Sequence, residues 1–387
     1  MRSRSVKFVC LCLSIVILLA NMIVGVYADE GAQSTDLGLE CKSAVLMEAQ
    51  TGKVLYAQNE STALPPASVT KVMTLLLVME ALQAGKITLD QTVVASENAC
   101  SMGGSQIFLE FGEQMSVDDL LKSVVIASAN DAAVALAEHI AGTESAFVDM
   151  MNKRAQELGM NSTCFENTNG LDDTTENHVT SALDIAIMSR ELIKHPKITE
   201  YSSIWMDSIR GGEFTLTNTN RLIRFYKGAT GLKTGSTTKA GFCISATATR
   251  DGMTLIAVIM GAPSRDARNG AAVSLLNYGF SNFALWKNSS RVDQSIKVTG
   301  GTQGSCRVVE EEIVAVVDKR SMSHIQKSVE LPESIGAPIG SGEQIGTVIY
   351  SVDGKEIGQA RIVTCEAIRG LNFVHIFLRL LSGALVK

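Results

Sequence analysis

No two cysteines of this chain stand as a C-x-x-C pair, and the spacing of its five histidines suggests no zinc site. No zinc site is therefore expected, and the chemistry read from the motifs below needs no metal or organic cofactor. A basic balance is missing too. Lys and Arg number 34 against 40 Asp and Glu, a formal net charge of -6. Neutralising phosphates needs a basic surface, so no nucleic-acid partner is expected. Internal repeats and low-complexity tracts are also lacking. What is present is length and apolar content: 387 residues, 46% of them hydrophobic. That is enough for a sizeable core and too long for one ordinary domain.

The N-terminus reads as a targeting segment. Arg2, Arg4 and Lys7 precede an apolar run from Phe8 to about Val26. Val26-Tyr27-Ala28 offers small residues where a signal peptidase reads, with Asp29 as the mature start. An uncleaved anchor is the alternative; either way the bulk of the chain is exported. Of eight cysteines, Cys10 and Cys12 lie in this leader. Cys41, Cys100, Cys164, Cys243, Cys306 and Cys365 are expected as buried free thiols, because Cys packs as a small hydrophobe. The compartment permits a disulfide, whose connectivity sequence does not give.

Past the leader, Ser43–Glu48 and Lys53–Ala57 read as a hairpin turning at Thr51-Gly52. Pro65-Pro66 breaks the chain before a helix expected over Val69–Ala84 and ended by Gly85. This helix is apolar nearly all round and should be central and buried. Helical patterns recur at Val117–Ser128, Ala132–Ala141, Glu144–Leu158 and Ala182–Lys194. Strands are expected at Gly241–Thr249 and Met253–Met260, joined by a turn at Arg250-Asp251-Gly252. A helix from Ala267 to Phe280 follows. Strands at both ends of a helical middle imply an α+β domain, with helices against an antiparallel sheet.

Beyond about Lys287, short β-rich runs take over: Ile296–Val298, Ile313–Val317, Ser328–Leu331, Ile345–Tyr350 and Ala360–Val363. The organisation expected is a leader over 1–28, a catalytic domain over 29–288, a small all-β domain over 289–366, and a last helix over 367–387. On a helical wheel, Asn372, His375, Arg379, Ser382 and Gly383 share one arc, opposite Leu371, Phe373, Val374, Phe377, Leu378, Leu380, Leu381, Ala384 and Leu385. The run is too interrupted to span a bilayer. It suits a helix lying in the membrane interface, favoured on anionic lipid by Arg369, Arg379 and Lys387. Docking on the β domain is the alternative.

Three short motifs carry the chemistry. In Ser68-Val69-Thr70-Lys71, i, i+3 spacing on a helix puts hydroxyl and amine on one face. A serine hydroxyl needs a base within reach, and lysine serves only with its pKa well below about 10.4. An apolar helix supplies part of that fall, since burial disfavours ammonium. Ser68 also sits near a helix N-terminus, which favours developing negative charge. Alone the motif is weak, for Ser236-Thr237-Thr238-Lys239 fits it too. Ser128-Ala129-Asn130 lies between two helical patterns. Taken alone, Ser128 reads as a cap; functionally it relays a proton between Lys71 and a leaving amine, while Asn130 binds a substrate amide and the lysine ammonium. Lys233-Thr234-Gly235-Ser236 precedes a strand. Here Lys and Thr suit an anionic substrate end, and Gly lets a peptide lie close.

Together the three motifs resemble the S-x-x-K, S-x-N, K-T-G signature of penicillin-recognising serine enzymes, with the second and third 60 and 165 residues beyond Ser68. Flanking text narrows the match. Pro65–Thr74, Ser128–Ala133, Asn169-Gly170-Leu171-Asp172, Gly231–Thr237 and Asn277–Phe280 are similar to the low-molecular-mass D-alanyl-D-alanine carboxypeptidases, peptidase family S11. The resemblance covers nearly all of the mature chain, including the β-rich domain and amphipathic end that a β-lactamase lacks.

The resemblance implies a penicillin-recognising, β-lactamase-like transpeptidase fold with a small C-terminal all-β domain. It implies removal of the terminal D-Ala from peptidoglycan peptides ending in D-Ala-D-Ala, on the outer face of the cytoplasmic membrane. β-Lactams would be covalent inhibitors. Ser68 would be acylated, Lys71 its base, and Ser128 and Asn130 part of the proton network. Lys233 and Thr234 would hold the substrate carboxylate, with Gly235 beside the peptide. The backbone N–H groups of Ser68 and Ser236 would form the oxyanion hole. Arg268 would stand behind the carboxylate, with Arg221 as a second arginine. His178 is expected to be structural. Two other readings compete. A class A-like β-lactamase needs a Glu-x-x-Leu-Asn context, which Glu166-Asn167-Thr168-Asn169-Gly170 does not supply. A non-catalytic peptidoglycan-binding protein would have no need of a Ser–Lys pair.

Overall fold

A computed structural model describes residues 36–173, 175–373 and 377. The leader expected over 1–28, and nearly all of the final helix beyond Phe373, lie outside the described residues.

The expected hairpin and later strands assemble into one antiparallel sheet. In chain order its strands are β1 (Ser43–Glu48), β2 (Val54–Gln58), β3 (Ala229–Thr237), β4 (Gly241–Arg250) and β5 (Met253–Ala262), arranged β2-β1-β5-β4-β3. Every residue of β1 is buried, because both faces of the sheet are covered. Strand alternation divides the side chains between two cores. Val45, Met47, Ile256, Val258 and Met260 join one with the helices Lys71–Gln83, Asn130–Ala141 and Ala182–Leu192. Ala44, Leu46, Leu255, Ala257 and Ile259 join the other, under the helix Arg265–Asn282. The helix Lys71–Gln83 is buried at every residue from Lys71 to Met79. Its apolar circumference thus matches its place at the centre.

Three sequence expectations need correction. The first helix begins at Lys71, preceded by a 3-10 turn over Ala67–Thr70, so Ser68 and Val69 lie in the turn. The pattern at Val117–Ser128 is an α-helix only to Lys122; a π-turn, Ser123–Ala127, follows and ends at Ser128 in the left-handed region (φ 65). The Lys233 motif does not precede a strand but lies inside β3, which spans Ala229–Thr237. Its two glycines lower β-propensity and hid the strand.

The C-terminal β-rich region forms a six-stranded sheet around its own core, including Val308, Val348, Tyr350 and Ile362. Strands missed in the sequence include Phe283–Lys287, paired with Val314–Asp318, Ser305–Glu310 and Ser334–Gly336. Residues 368–370 stay against this region: Ile368 is buried and bridges Ile339, and Gly370 bridges Gly301. All six described cysteines are free thiols. Cys243 and Cys306 are buried as expected, but Cys164 and Cys365 are exposed.

What positions the turn that carries Ser68 is a loop about 100 residues away. Thr74 Oγ1 donates to the Thr168 carbonyl (2.5 Å). His178 Nδ1 accepts the Glu166 N–H at 2.9 Å. That contact puts the ring proton on Nε2, which donates to Thr70 Oγ1 at 2.7 Å. Thr70 Oγ1 in turn donates to the Ala67 carbonyl at 2.9 Å. Burial pushes the imidazole pKa down to about 4, so His178 works as a neutral strut. Gly170 (φ +85) closes the contact. A Cβ there would fall 1.9 Å from the Ala67 carbonyl oxygen. Gly142 (φ +82) has a similar backbone but nothing within 4 Å of such a Cβ. Gly170→Ala is therefore expected to cost about 3 kcal/mol more than Gly142→Ala, through forced displacement of backbone rather than φ alone. Equal denaturation midpoints for the two variants would refute that account.

Candidate active site

Ser68 lies in the 3-10 turn directly after Ala67, whose φ of 48 is strained for a residue with a Cβ. One turn on, Lys71 is fully buried. Its Nζ has three neighbours: Ser68 Oγ at 3.0 Å, Asn130 Oδ1 at 2.5 Å and the Asn169 carbonyl at 2.9 Å. Two of these are obligate acceptors and one is a hydroxyl. A neutral amine carries two hydrogens and one lone pair, so this set matches it group for group. Burial, and then the nearby Lys233 charge, hold the Lys71 pKa well below its ordinary value; Asp131 opposes them weakly.

The left-handed turn at Ser128 lets the chain pass from the π-turn into the helix Asn130–Ala141. Asn130 sits at the head of that helix. Its Nδ2 donates to the Gly103 carbonyl (2.6 Å) and its N–H to the Ser105 carbonyl (2.7 Å). Asp131, buried beside it, accepts the N–H groups of Ile107 and Leu109 at 3.1 Å. The loop over residues 103–109 is thereby tied to the helix start.

Strand β3 is one of the two edge strands of the sheet. Gly235 lies so close to the nucleophile turn that a Cβ would meet Ser68 N at 2.8 Å and Val69 N at 2.9 Å. Lys233 is buried, and its Nζ donates to Ser128 Oγ (2.8 Å) and the Thr234 carbonyl (3.0 Å). Ser128 is thus linked to Lys233 in this structure, not directly to Lys71. Burial, followed by the charge of Arg268, lowers the Lys233 pKa to about 7. Arg268, on the helix Arg265–Asn282, is itself buried and lowered to about 10, by burial first and then by Arg265. Its guanidinium donates to Asn269 Oδ1.

One cleft of about 590 Å³ gathers these parts. Ser68, Ser128, Thr234, Gly235, Ser236, Arg221 and Arg268 line it. Lys71, Asn130 and Lys233 stand behind its wall, joined to Ser68 and Ser128 by the contacts above. All ten candidate residues therefore meet at one place. Two contributors were not found by sequence reasoning. The Asn169 carbonyl is a backbone atom and leaves no side-chain signal. The segment Thr217–Thr219, which also lines the cleft, is short, polar and without regular periodicity. Glu166, the carboxylate considered for the β-lactamase reading, is exposed and accepts the N–H groups of Glu176 and Asn177. Among the described residues no group of His, Cys, Asp and Glu is arranged to hold a metal ion.

Comparison with known proteins bears on the reading. The family model for D-alanyl-D-alanine carboxypeptidase (peptidase S11) matches residues 30–264, and that for the penicillin-binding protein 5 C-terminal domain matches 280–369. The chain is 41% identical to D-alanyl-D-alanine carboxypeptidase DacF of Bacillus subtilis, covering 96% of this chain and 99% of that one. It is similar in structure to penicillin binding protein 5 of Haemophilus influenzae, with TM-score 0.76 and 33% identity over 86% of this chain and 98% of the other. Ampicillin-bound penicillin-binding protein D2 of Listeria monocytogenes superposes with TM-score 0.58 at 31% identity, over 62% of this chain and 98% of its own. These matches favour the carboxypeptidase expectation over the β-lactamase and binding-protein alternatives. With family models on both of its regions and a relative aligned nearly end to end, the chain belongs to the D-alanyl-D-alanine carboxypeptidase family of serine hydrolases, peptidase family S11.

Proposed function

We propose that the chain removes the terminal D-Ala of peptidoglycan pentapeptides through an acyl-enzyme on Ser68. The observation that carries this assignment is the environment of Lys71 Nζ: buried, within 3.0 Å of Ser68 Oγ, and held by two amide oxygens. Ser68 Oγ attacks the carbonyl carbon of the penultimate D-Ala while its proton passes to the Lys71 lone pair. The oxyanion lies between the N–H groups of Ser68 and Ser236. The amide C–N bond then breaks. Free D-Ala leaves with the proton that Lys71 took from Ser68, passed to the leaving nitrogen through Ser128 Oγ once that hydroxyl exchanges its Lys233 contact for one with Lys71, and Lys71 returns to the neutral amine. Water next attacks the ester, with Lys71 again as base, and regenerates Ser68.

Recognition follows from the same residues. Lys233, Thr234 and Arg268 receive the terminal carboxylate, with Arg221 at the rim. Asn130 Nδ2 has a second hydrogen free for a substrate amide. The open edge of β3 pairs with the peptide backbone, Gly235 allowing the approach. A β-lactam carbonyl enters the same position and acylates Ser68. We further propose that the protein is exported and held at the outer face of the membrane by the segment after Leu371. Phe373 and Phe377, exposed and stacked at 6.4 Å, support an apolar stripe there.

Three outcomes test this reading. Mass spectrometry of the penicillin-treated protein should place the adduct on Ser68; Ser68→Ala should take no label and release no D-Ala, and Lys71→Ala should lose about 10²- to 10⁴-fold in acylation rate. An adduct elsewhere would end the assignment. A second check is the pH profile. Lys71 acts only when neutral, so kcat/KM should rise as pH climbs through its depressed pKa. Lys233 holds the carboxylate only when charged, so kcat/KM should fall as pH passes about 7. No alkaline decline before pH 9 would remove Lys233 from carboxylate binding. Finally, deleting 372–387, which spares the buried Ile368, should release the enzyme from membranes; unchanged co-sedimentation would refute the anchor.

A further inference from the structure

The hydroxyl of Thr219 stands 2.8 Å from Thr234 Oγ1, inside the cleft. Nothing in the mechanism above uses it. Its surroundings are unusually well built for a short irregular segment. Thr219 is exposed to the cleft, but the asparagines on either side are buried. Asn218 Nδ2 donates to the carbonyls of Ser202 (3.0 Å) and Ile204 (2.8 Å), and its Oδ1 accepts the Asn220 N–H (2.9 Å). Asn220 Nδ2 donates to the Gly231 carbonyl of β3 at 2.8 Å, and its Oδ1 accepts the Leu222 N–H at 3.1 Å. The Thr219 N–H donates to the Ile126 carbonyl at 3.1 Å, within the π-turn that ends at Ser128. One residue thus touches both the turn carrying Ser128 and the strand carrying Thr234.

We infer that Thr219 is a substrate-positioning residue, whose hydroxyl aims Thr234 Oγ1 at the substrate's terminal carboxylate. In this structure Thr234 Oγ1 donates to Thr219 Oγ1. A carboxylate accepts only, so on binding Thr234 must turn its single hydrogen to the substrate. The Thr234 oxygen then needs a donor, and Thr219 O–H is at hydrogen-bond distance to become it. The chain Thr219→Thr234→carboxylate polarises in one direction, which strengthens each bond. The buried asparagines keep Thr219 in place without any contact to substrate.

This inference rests on the assignment of Thr234 to the carboxylate, and its test separates the two. The measurement is kcat/KM for D-Ala release from a D-Ala-D-Ala peptide, set against release of D-alaninamide from the same peptide amidated at its C-terminus. Thr219→Val keeps the branched shape and removes the hydroxyl. It should lower the acid-to-amide preference about five- to tenfold, the scale of one hydrogen bond. The thermal midpoint should stay unchanged, and Thr219→Ser should restore the preference. Thr234→Val should erase the preference further. If Thr219→Val slows both substrates equally, or lowers the midpoint without rescue by Ser, the role is structural and the inference falls. If Thr234→Val erodes the preference while Thr219→Val leaves it intact, the inference falls and the Thr234 assignment stands. If neither variant changes it, the carboxylate assignment falls as well.

Discussion

A lysine amine kept out of water beside a serine hydroxyl is the constraint around which this fold is organised. Ammonium is costly in an apolar interior, so burial favours the neutral amine at Lys71. That cost has to be met by the rest of the structure. The helix that begins at Lys71 is buried through Met79, and the sheet and helices around it exclude solvent from all sides. The same burial that packs the core therefore lowers the Lys71 pKa. A surface helix with the same Ser-x-x-Lys spacing would present a charged lysine and an inert serine.

A second buried lysine changes what the first can do. Lys233 lies close enough for its charge to disfavour a proton on Lys71. Its own pKa, near 7, leaves it able to carry charge when an anion arrives. Two groups of one type thus take opposite roles because their partners differ. Lys71 faces two amide oxygens and a hydroxyl, whereas Lys233 faces Ser128 Oγ and a carbonyl on the side toward Arg268. Arrival of a carboxylate would favour the charged form of Lys233, and that charge in turn favours the neutral form of Lys71.

Much of this was legible in the sequence, and the reasons are specific. Ser68, Lys71, Ser128, Asn130 and Lys233 occur as short motifs in a fixed order, and the apolar run after Lys71 announces a buried helix. The strands Ser43–Glu48 and Met253–Ala262 follow from uninterrupted β-branched and aliphatic runs. What escaped was structure whose cause is tertiary. Strand β3 contains Gly231 and Gly235, which read as a loop until a partner strand and the nucleophile turn are seen to require them. The π-turn before Ser128 repeats the apolar pattern of an ordinary helix. The left-handed backbone at Ser128 has no Gly to signal it. The strand Phe283–Lys287 is too short to separate from the helix before it.

The failures at β3, the π-turn and Ser128 share a location. Ala67 and Ser128 hold positive φ without glycine, and Gly170 and Gly235 occupy places where a single extra carbon would collide with the nucleophile turn. Local preference would relax each of them. They persist because contacts from distant segments overdetermine them: His178 through Thr70, Thr168 through Thr74, and β3 against Ser68. The nucleophile is thus held by segments that lie about 100 and 165 residues away along the chain. A turn so fixed cannot follow a substrate as it moves, and a hydroxyl held still beside a buried amine would enter acyl transfer with its orientational cost already paid. Disagreement between local propensity and observed backbone at these positions is itself the mark of the active site.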